Sequence, residues 1–173
     1  MSKIIVLTGP ESTGKSSLSK LLASHFNCQA YEEYARSYLE ELGNSSYSYT
    51  DVEKIAIGQV AQYEKAREQT SRIVILDTWL IITKVWFQWV YGKEPDWLES
   101  ALQTHAVDLY LLCYPDLEWE SDPLRENGGD KRNELFEAYR AELDGRGLRY
   151  VVIRGIGEKR LQNAIDAIEK GVL

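Results

Sequence analysis

At 173 residues, 44% hydrophobic and 27% charged, the chain has the length and composition of one globular domain, expected to span residues 1–173. Its net charge of −7 argues against a nucleic-acid-binding surface, which needs an excess of Lys and Arg. No stretch approaches the roughly 18 apolar residues of a membrane span. The N-terminal apolar run is too short for a signal peptide, so the expected location is the cytoplasm. Cys28 and Cys113 form no C-x-x-C pair and read as two buried, reduced thiols. His25 and His105 are isolated, at helix ends or on the surface, and suggest no zinc site.

The first strand is expected at Lys3–Thr8. It runs directly into Gly-Pro-Glu-Ser-Thr-Gly-Lys-Ser, Gly9 to Ser16, which is the full G-x-x-x-x-G-K-[ST] pattern. Glycines at these positions let backbone N–H groups close around phosphate oxygens. Lys15 brings a point charge to the outer phosphates, and the Ser16 hydroxyl is placed to ligate Mg²⁺. Leu18, Leu21, Leu22 and Phe26 then form a helical stripe starting at the lysine. The segment Gly9, Pro10, Glu11, Ser12, Thr13, Gly14, Lys15, Ser16 and Ser17 is therefore the expected ATP site.

A weaker strand at Gln29–Glu32 leads into Glu32-Glu33-Tyr34-Ala35-Arg36. A carboxylate at a strand end with an arginine one turn later can hold a hydroxyl and a phosphate together. Either Glu33 or Asp77 can take the proton, Glu33 being the choice for the hydroxyl and Asp77 for the metal, and Arg36 would stabilise charge on the transferred group. The competing reading is a solvated helix start, where acids favour the dipole. A polar connection, Gly43 to Tyr49, precedes a helix carrying Val52, Ile55, Ala56, Val60 and Tyr63. Thr50 and Glu53 are its expected capping box.

Ile73–Asp77 is an apolar strand ending in a carboxylate. Behind a phosphate loop, Asp77 takes the position that orients Mg²⁺; in isolation it would read as a helix cap. Trp79 to Trp97 holds four of the five tryptophans. Core packing is the expected role for most, with Trp86 and Tyr91 as a lesser candidate wall for a planar aromatic substrate.

A strand at Asp108–Cys113 precedes an irregular charged loop, residues 118–130, read as a lid. Arg125 and, just beyond it, Arg132 are the arginine candidates, acting on the phosphates in cis while the lid excludes water. Leu135, Phe136, Tyr139 and Leu143 form the next helix, Leu148–Arg154 the last strand, and Leu161, Ala164, Ile165 and Ile168 the last helix. Arg154-Gly155-Ile156-Gly157 should turn beside the adenine. Alternating strands and helices predict an α/β fold: P-loop NTPase-like, three layers α/β/α, with a five-stranded parallel sheet and the lid loop. Ligands in such sheets bind beyond the carboxyl ends of the strands.

With these residues assembled, the chain resembles the ribosylnicotinamide kinase domain of the NadR family. The resemblance runs nearly end to end. It takes in Gly9–Ser16, Glu33-Tyr34-Ala35-Arg36, Ile57-Gly58-Gln59, Asp77-Thr78, Thr83-Lys84-Val85-Trp86, Tyr91-Gly92, Asp108–Leu112 and Trp119–Arg125. It implies ATP- and Mg²⁺-dependent phosphorylation of the 5′-hydroxyl of nicotinamide riboside (NR), giving nicotinamide mononucleotide in NAD biosynthesis. Carried over, Lys15 and Ser16 serve ATP and Mg²⁺, and Glu33, Arg36 and Asp77 face the acceptor and metal. Tyr34, Trp86, Trp119 and Asp122 join them around the substrate and lid. Trp79 departs from the family pattern, which has a polar or acidic residue there. The larger family members carry a nucleotidyltransferase domain with no counterpart here, so a separate adenylyltransferase is the expected functional partner. A kinase for another nucleoside, nucleotide or metabolite shares most of these features. A nucleotide switch fits less well, because Asp77-Thr78-Trp79-Leu80 breaks the D-x-x-G pattern and the guanine signature is absent. A non-catalytic ATP-binding module leaves the acid and the lid arginines unexplained.

Overall fold

The structure, a computed structural model, describes residues 2–43 and 46–173. Five strands and seven helices follow one another as β1 (Lys3–Thr8), α1 (Lys15–Phe26), β2 (Gln29–Tyr31), α2 (Tyr34–Leu42), α3 (Tyr49–Arg67), β3 (Ile73–Asp77), α4 (Leu80–Tyr91), α5 (Asp96–Thr104), β4 (Leu109–Cys113), α6 (Lys131–Gly145), β5 (Tyr150–Ile153) and α7 (Glu158–Gly171). The strands form one sheet in the order β2-β3-β1-β4-β5, and every pairing is parallel. β1 is central, so the loop that follows it emerges midway along the carboxyl edge, between β3 and β4.

Strand periodicity divides the core into two layers. Ile4, Val6, Val74, Leu76, Tyr110 and Leu112 face α3, α4, α5 and α6. Ile5, Leu7, Ile73, Ile75, Leu109 and Leu111 face α1 and α7. Both faces of the central strands are buried, which is why these segments read as continuous apolar runs rather than alternating ones.

Several boundaries differ from expectation. α3 is capped by Ser48 and Asp51, not Thr50 and Glu53. Ser48 is extended, its Oγ accepts the Asp51 N–H, and the Asp51 carboxylate accepts the Ser48 N–H at 2.8 Å. Glu53 instead accepts the Trp97 indole N–H at 2.9 Å. β4 starts one residue late because Asp108 uses its side chain, accepting the Ile4 N–H at 2.8 Å and the Lys3 ammonium. β5 is trimmed to Tyr150–Ile153. α5 has no counterpart in the sequence reading. Of the connection Gly43 to Tyr49, Asn44 and Ser45 lie outside the described residues.

The tryptophan-rich segment divides between core and cavity. Trp79 is in the core, 1% exposed, stacked on Tyr63, and Trp86 and Trp97 pack against that core, half-buried. Trp89 is exposed, and the face it shares with Trp86 lines a cavity. Cys113 is buried, whereas Cys28 is only partly so; both are free thiols. Among the described residues no helix is long and apolar enough to cross a membrane.

Candidate active site

The loop after β1 is shaped by what it passes. Gly9 has φ 138°, and a Cβ there would lie 2.6 Å from the Cys113 carbonyl oxygen, so only glycine fits between β1 and β4. The loop closes at Gly14, which caps α1 with no side-chain hydrogen bond. The first N–H groups of α1 are thereby left to face an anion. Ser12, with φ 54°, holds a left-handed conformation that glycine adopts more readily. The Lys15 ammonium folds back on the loop, donating to the carbonyls of Gly9 (3.0 Å) and Pro10 (2.7 Å). Thr13 Oγ1 donates to the same Pro10 oxygen at 2.9 Å.

Asp77, at the end of β3, meets this loop directly. Ser16 Oγ donates to its Oδ2 at 2.5 Å. Its other oxygen, Oδ1, is buried without a partner among the described residues, as are the hydroxyls of Thr8 and Thr78. Burial raises the Asp77 pKa, opposed by the Ser16 hydrogen bond and the Lys15 charge. A hydroxyl beside a carboxylate with an orphaned oxygen is a hard, oxygen-only donor set, and it fits Mg²⁺. Thr78 itself has φ 72°, an outlier for a β-branched residue.

A cavity of about 880 Å³ opens over the loop. It is lined by Gly9, Glu11, Ser12, Thr13, Gly14, Lys15, Ser16 and Ser17, and on the opposite side by Glu33, Arg36, Trp86, Asp122 and Arg125. Burial also raises the Glu33 pKa; the Lys15 charge opposes this and Asp77 adds to it. Arg36 donates to Asp122 Oδ2 at 3.2 Å and lies within ion-pair reach of Glu40. The apolar side of the cavity is Trp86, edge-on to Tyr47, together with Trp89 and Val90. At one point this wall turns polar: Thr83 Oγ1 donates to Gln59 Oε1 at 2.6 Å.

Residues 118–130 rest on the phosphate loop. The Glu11 carboxylate accepts the N–H groups of Glu126 (3.0 Å) and Asn127 (2.8 Å). Ser12 Oγ donates to the Glu118 carbonyl at 3.2 Å and accepts the Glu120 N–H at 2.9 Å. Arg125 donates to the Glu120 carbonyl at 2.6 Å. The Leu124 N–H and Arg36 together hold Asp122 below the usual carboxylate range.

Five of the expected site residues stand outside the cavity lining. Pro10 supports Lys15 and Thr13. Asp77 reaches the site through Ser16. Tyr34 lies flat against α3, where a Cβ at Gly58 would collide with its ring. Trp119 packs on Gly128 within the loop. Arg132 does not point at the phosphates: it is 6% exposed and donates to the carbonyls of Ser12 (3.0 Å) and Leu117 (2.9 Å). Tyr91 packs on Tyr49 instead of lining the cavity. Trp79 faces Tyr63, so the family departure at this position falls in the core.

The sequence analysis missed Arg160 and Tyr47 and gave Gln59 no role beyond its place in the family resemblance; all three line the cavity. Arg160 carried a signal: it sits four residues before Ala164 and eight before Ile168, on the buried stripe of α7. A cation continuing an apolar stripe has to find acceptors in the interior.

The sequence pattern of the AAA domain family matches residues 4–160. The chain belongs to the AAA domain family. Within that family its likeness is to NadR. The Trifunctional NAD biosynthesis/regulator protein NadR of Salmonella typhimurium is 27% identical over 144 residues, 82% of this chain and 35% of that protein. A solved NadR protein in complex with NR superposes with a TM-score of 0.81 at 24% identity, covering 98% of this chain and 50% of that one. NadR in complex with NAD and AMP-PNP gives 0.79 at the same identity, covering 98% and 49%. The chain thus spans about a third of the curated relative and half of the solved NadR chains. Thymidylate kinase from Ehrlichia chaffeensis shares the fold at a TM-score of 0.69 and 13% identity, covering 98% of both chains. The five-stranded parallel sheet with its central phosphate loop is the fold this chain shares with that thymidylate kinase.

Proposed function

We propose that this chain transfers the γ-phosphoryl group of ATP to the 5′-hydroxyl of nicotinamide riboside, releasing nicotinamide mononucleotide and ADP. The observation that carries the reading is one cavity lined both by the phosphate loop and by Glu33 and Arg36. The NadR relatives, one solved with NR and one with NAD and AMP-PNP, support the substrates.

In this reading Lys15 leaves the carbonyls of Gly9 and Pro10 and neutralises the β- and γ-phosphates. Ser16 and Asp77 would hold Mg²⁺, which when bound spreads the charge of the transferring phosphoryl group. Glu33 orients the acceptor hydroxyl and takes its proton as the O–P bond forms and ADP departs. Its raised pKa brings it nearer the operating pH, as an effective base requires. Arg36 and Arg125 steady charge on the acceptor side and under the lid. Residues 118–130 exclude water, so that ATP is not hydrolysed. The Trp86–Tyr47 wall suits a flat pyridinium ring, whose positive charge is favoured over an aromatic face. Cytoplasmic location agrees with the free thiols of Cys28 and Cys113. An adenylyltransferase is the natural consumer of the product.

The test is a coupled ATP-consumption assay with Mg²⁺, comparing nicotinamide riboside with thymidine, deoxycytidine, uridine and no acceptor. Turnover confined to nicotinamide riboside is expected. Turnover with another nucleoside keeps the mechanism and overturns the substrate. ATP binding without acceptor-dependent turnover overturns the kinase reading.

A further inference from the structure

Two buried arginines, from different helices, grip adjacent peptides of the phosphate loop. Arg132, in the first turn of α6, uses Nη2 to reach the Ser12 carbonyl and the Leu117 carbonyl. Arg160, in the first turn of α7, uses Nη2 to reach the Thr13 carbonyl (2.8 Å) and the Tyr114 carbonyl (3.0 Å). Each guanidinium therefore ties one loop carbonyl to one carbonyl of the segment leaving β4. They are 6% and 4% exposed.

The consequence follows from peptide geometry. The peptide bonds of the described residues are trans, so each C=O points opposite to the N–H of the same peptide plane. A carbonyl drawn outward toward an arginine turns the next N–H the other way. The Ser12 carbonyl shares its peptide with the Thr13 N–H, and the Thr13 carbonyl with the Gly14 N–H. Thr13 and Gly14 both line the cavity. Among the described residues neither N–H has an acceptor within the protein. The left-handed conformation of Ser12 (φ 54°) needs such support, because it is disfavoured for any residue but glycine.

We propose that Arg132 and Arg160 are positioning residues of the phosphate loop, orienting the N–H groups of Thr13 and Gly14 toward the nucleotide β-phosphate. Their charges also lie behind the loop, where they favour an anion in front of it. Arg160 is partly neutralised by Asp116 at 2.6 Å. Arg132 makes no ion pair among the described residues and meets Asp116 only at longer range, so its charge is the less compensated of the two. This assignment replaces the arginine-finger role expected of Arg132 and gives Arg160 a role that its apolar neighbours on α7 do not suggest. It rests on the reading that the loop binds nucleotide.

The test compares ADP with AMP by calorimetry, because only ADP carries the β-phosphate. Arg132→Ala and Arg160→Ala should each weaken ADP about tenfold or more, the scale of a lost charge-assisted contact, and leave AMP within about twofold. A parallel loss of both ligands, or no loss of either, would overturn the proposal. Arg132→Lys and Arg160→Lys keep the charge and lose the fork, and guard against an alanine variant that fails to fold. In ¹H–¹⁵N spectra, tripolyphosphate should shift the Thr13 and Gly14 amides of the unmodified protein. Arg132→Lys should blunt the Thr13 response, and Arg160→Lys the Gly14 response. Unchanged responses in both lysine variants would overturn the assignment while leaving the nucleotide reading intact. Failure of the unmodified protein to bind ADP would overturn both.

Discussion

Replacing Thr78 by glycine should make the protein more stable and less active. Thr78 sits at the turn from β3 to α4 with φ 72° and is 3% exposed, its N–H held by the Leu7 carbonyl at 3.0 Å. Left-handed backbone at a β-branched residue costs about 1–2 kcal/mol. Its hydroxyl is buried without a partner, which costs a further 1–3 kcal/mol or so. Glycine removes both penalties. Against this stand the loss of two buried carbons, Cβ and its methyl, about 1.6 kcal/mol, and the added freedom of the unfolded chain, about 0.5–1 kcal/mol. The balance is a gain of about 1 kcal/mol, or roughly 2–4 °C in Tm for a chain of this size. Urea melts should show a higher midpoint with an unchanged slope. Thr78→Ala removes the hydroxyl and the methyl but keeps the backbone strain, and should also be more stable than the parent, through the hydroxyl alone. Thr78 also lines the cavity, so phosphoryl transfer in Thr78→Gly should fall by about tenfold. A Thr78→Gly protein less stable than its parent would refute the argument, because the left-handed conformation would then carry no strain.

Lys15→Ala should lower turnover by about 10²–10³-fold, the scale of a lost electrostatic donor, with an unchanged far-UV circular dichroism spectrum; undiminished activity would remove Lys15 from the site. Glu33 has a folded pKa above its ordinary value, so the native state binds the extra proton. Stability should therefore fall as pH rises from the ordinary glutamate range through the raised value. Glu33→Gln should flatten that decline in pH-dependent urea melts, and should also abolish the acidic limb of the kcat profile, where the base becomes protonated. Glu11→Ala deletes the acceptor for the Glu126 and Asn127 N–H groups. Acceptor-independent ATP hydrolysis should rise severalfold relative to transfer as water enters, measured as phosphate release without nucleoside.

The fold was readable because its signals are local. Four apolar runs end in turn residues or a carboxylate, and helical stripes lie between them. α5 escaped because only Leu98, Ala101 and Leu102 of its residues are buried, too short a stripe to stand out beside the tryptophans. The capping box of α3 was displaced by two residues because Ser48-Tyr49-Thr50-Asp51 offers overlapping cap patterns, and only the extended backbone of Ser48 distinguishes them. The phosphate loop was legible as a contiguous pattern, and its approach to Glu33 followed from the rule that ligands lie beyond strand ends. The direction of Arg132 was not legible. Arginine in a polar segment suggests a phosphate contact, yet Arg132 begins the buried stripe of Leu135, Phe136 and Tyr139. Arg160 repeats this pattern on α7. What distinguishes both is the location of carbonyl acceptors from distant segments, which no spacing encodes.

The residues between the two glycines of the phosphate loop have a second allegiance. The G-x-x-x-x-G pattern places no demand on positions 11 and 12, but here Glu11 and Ser12 seat four backbone groups, those of Glu118, Glu120, Glu126 and Asn127. The two segments are consequently one exchangeable part. A chimera that imports 118–130 from a thymidylate kinase while keeping Glu11 and Ser12 should be poorly latched. One that imports residues 10–13 with it should close. Transplanting specificity among proteins of this fold is therefore a two-segment operation, and the shorter segment lies inside the phosphate-loop motif itself.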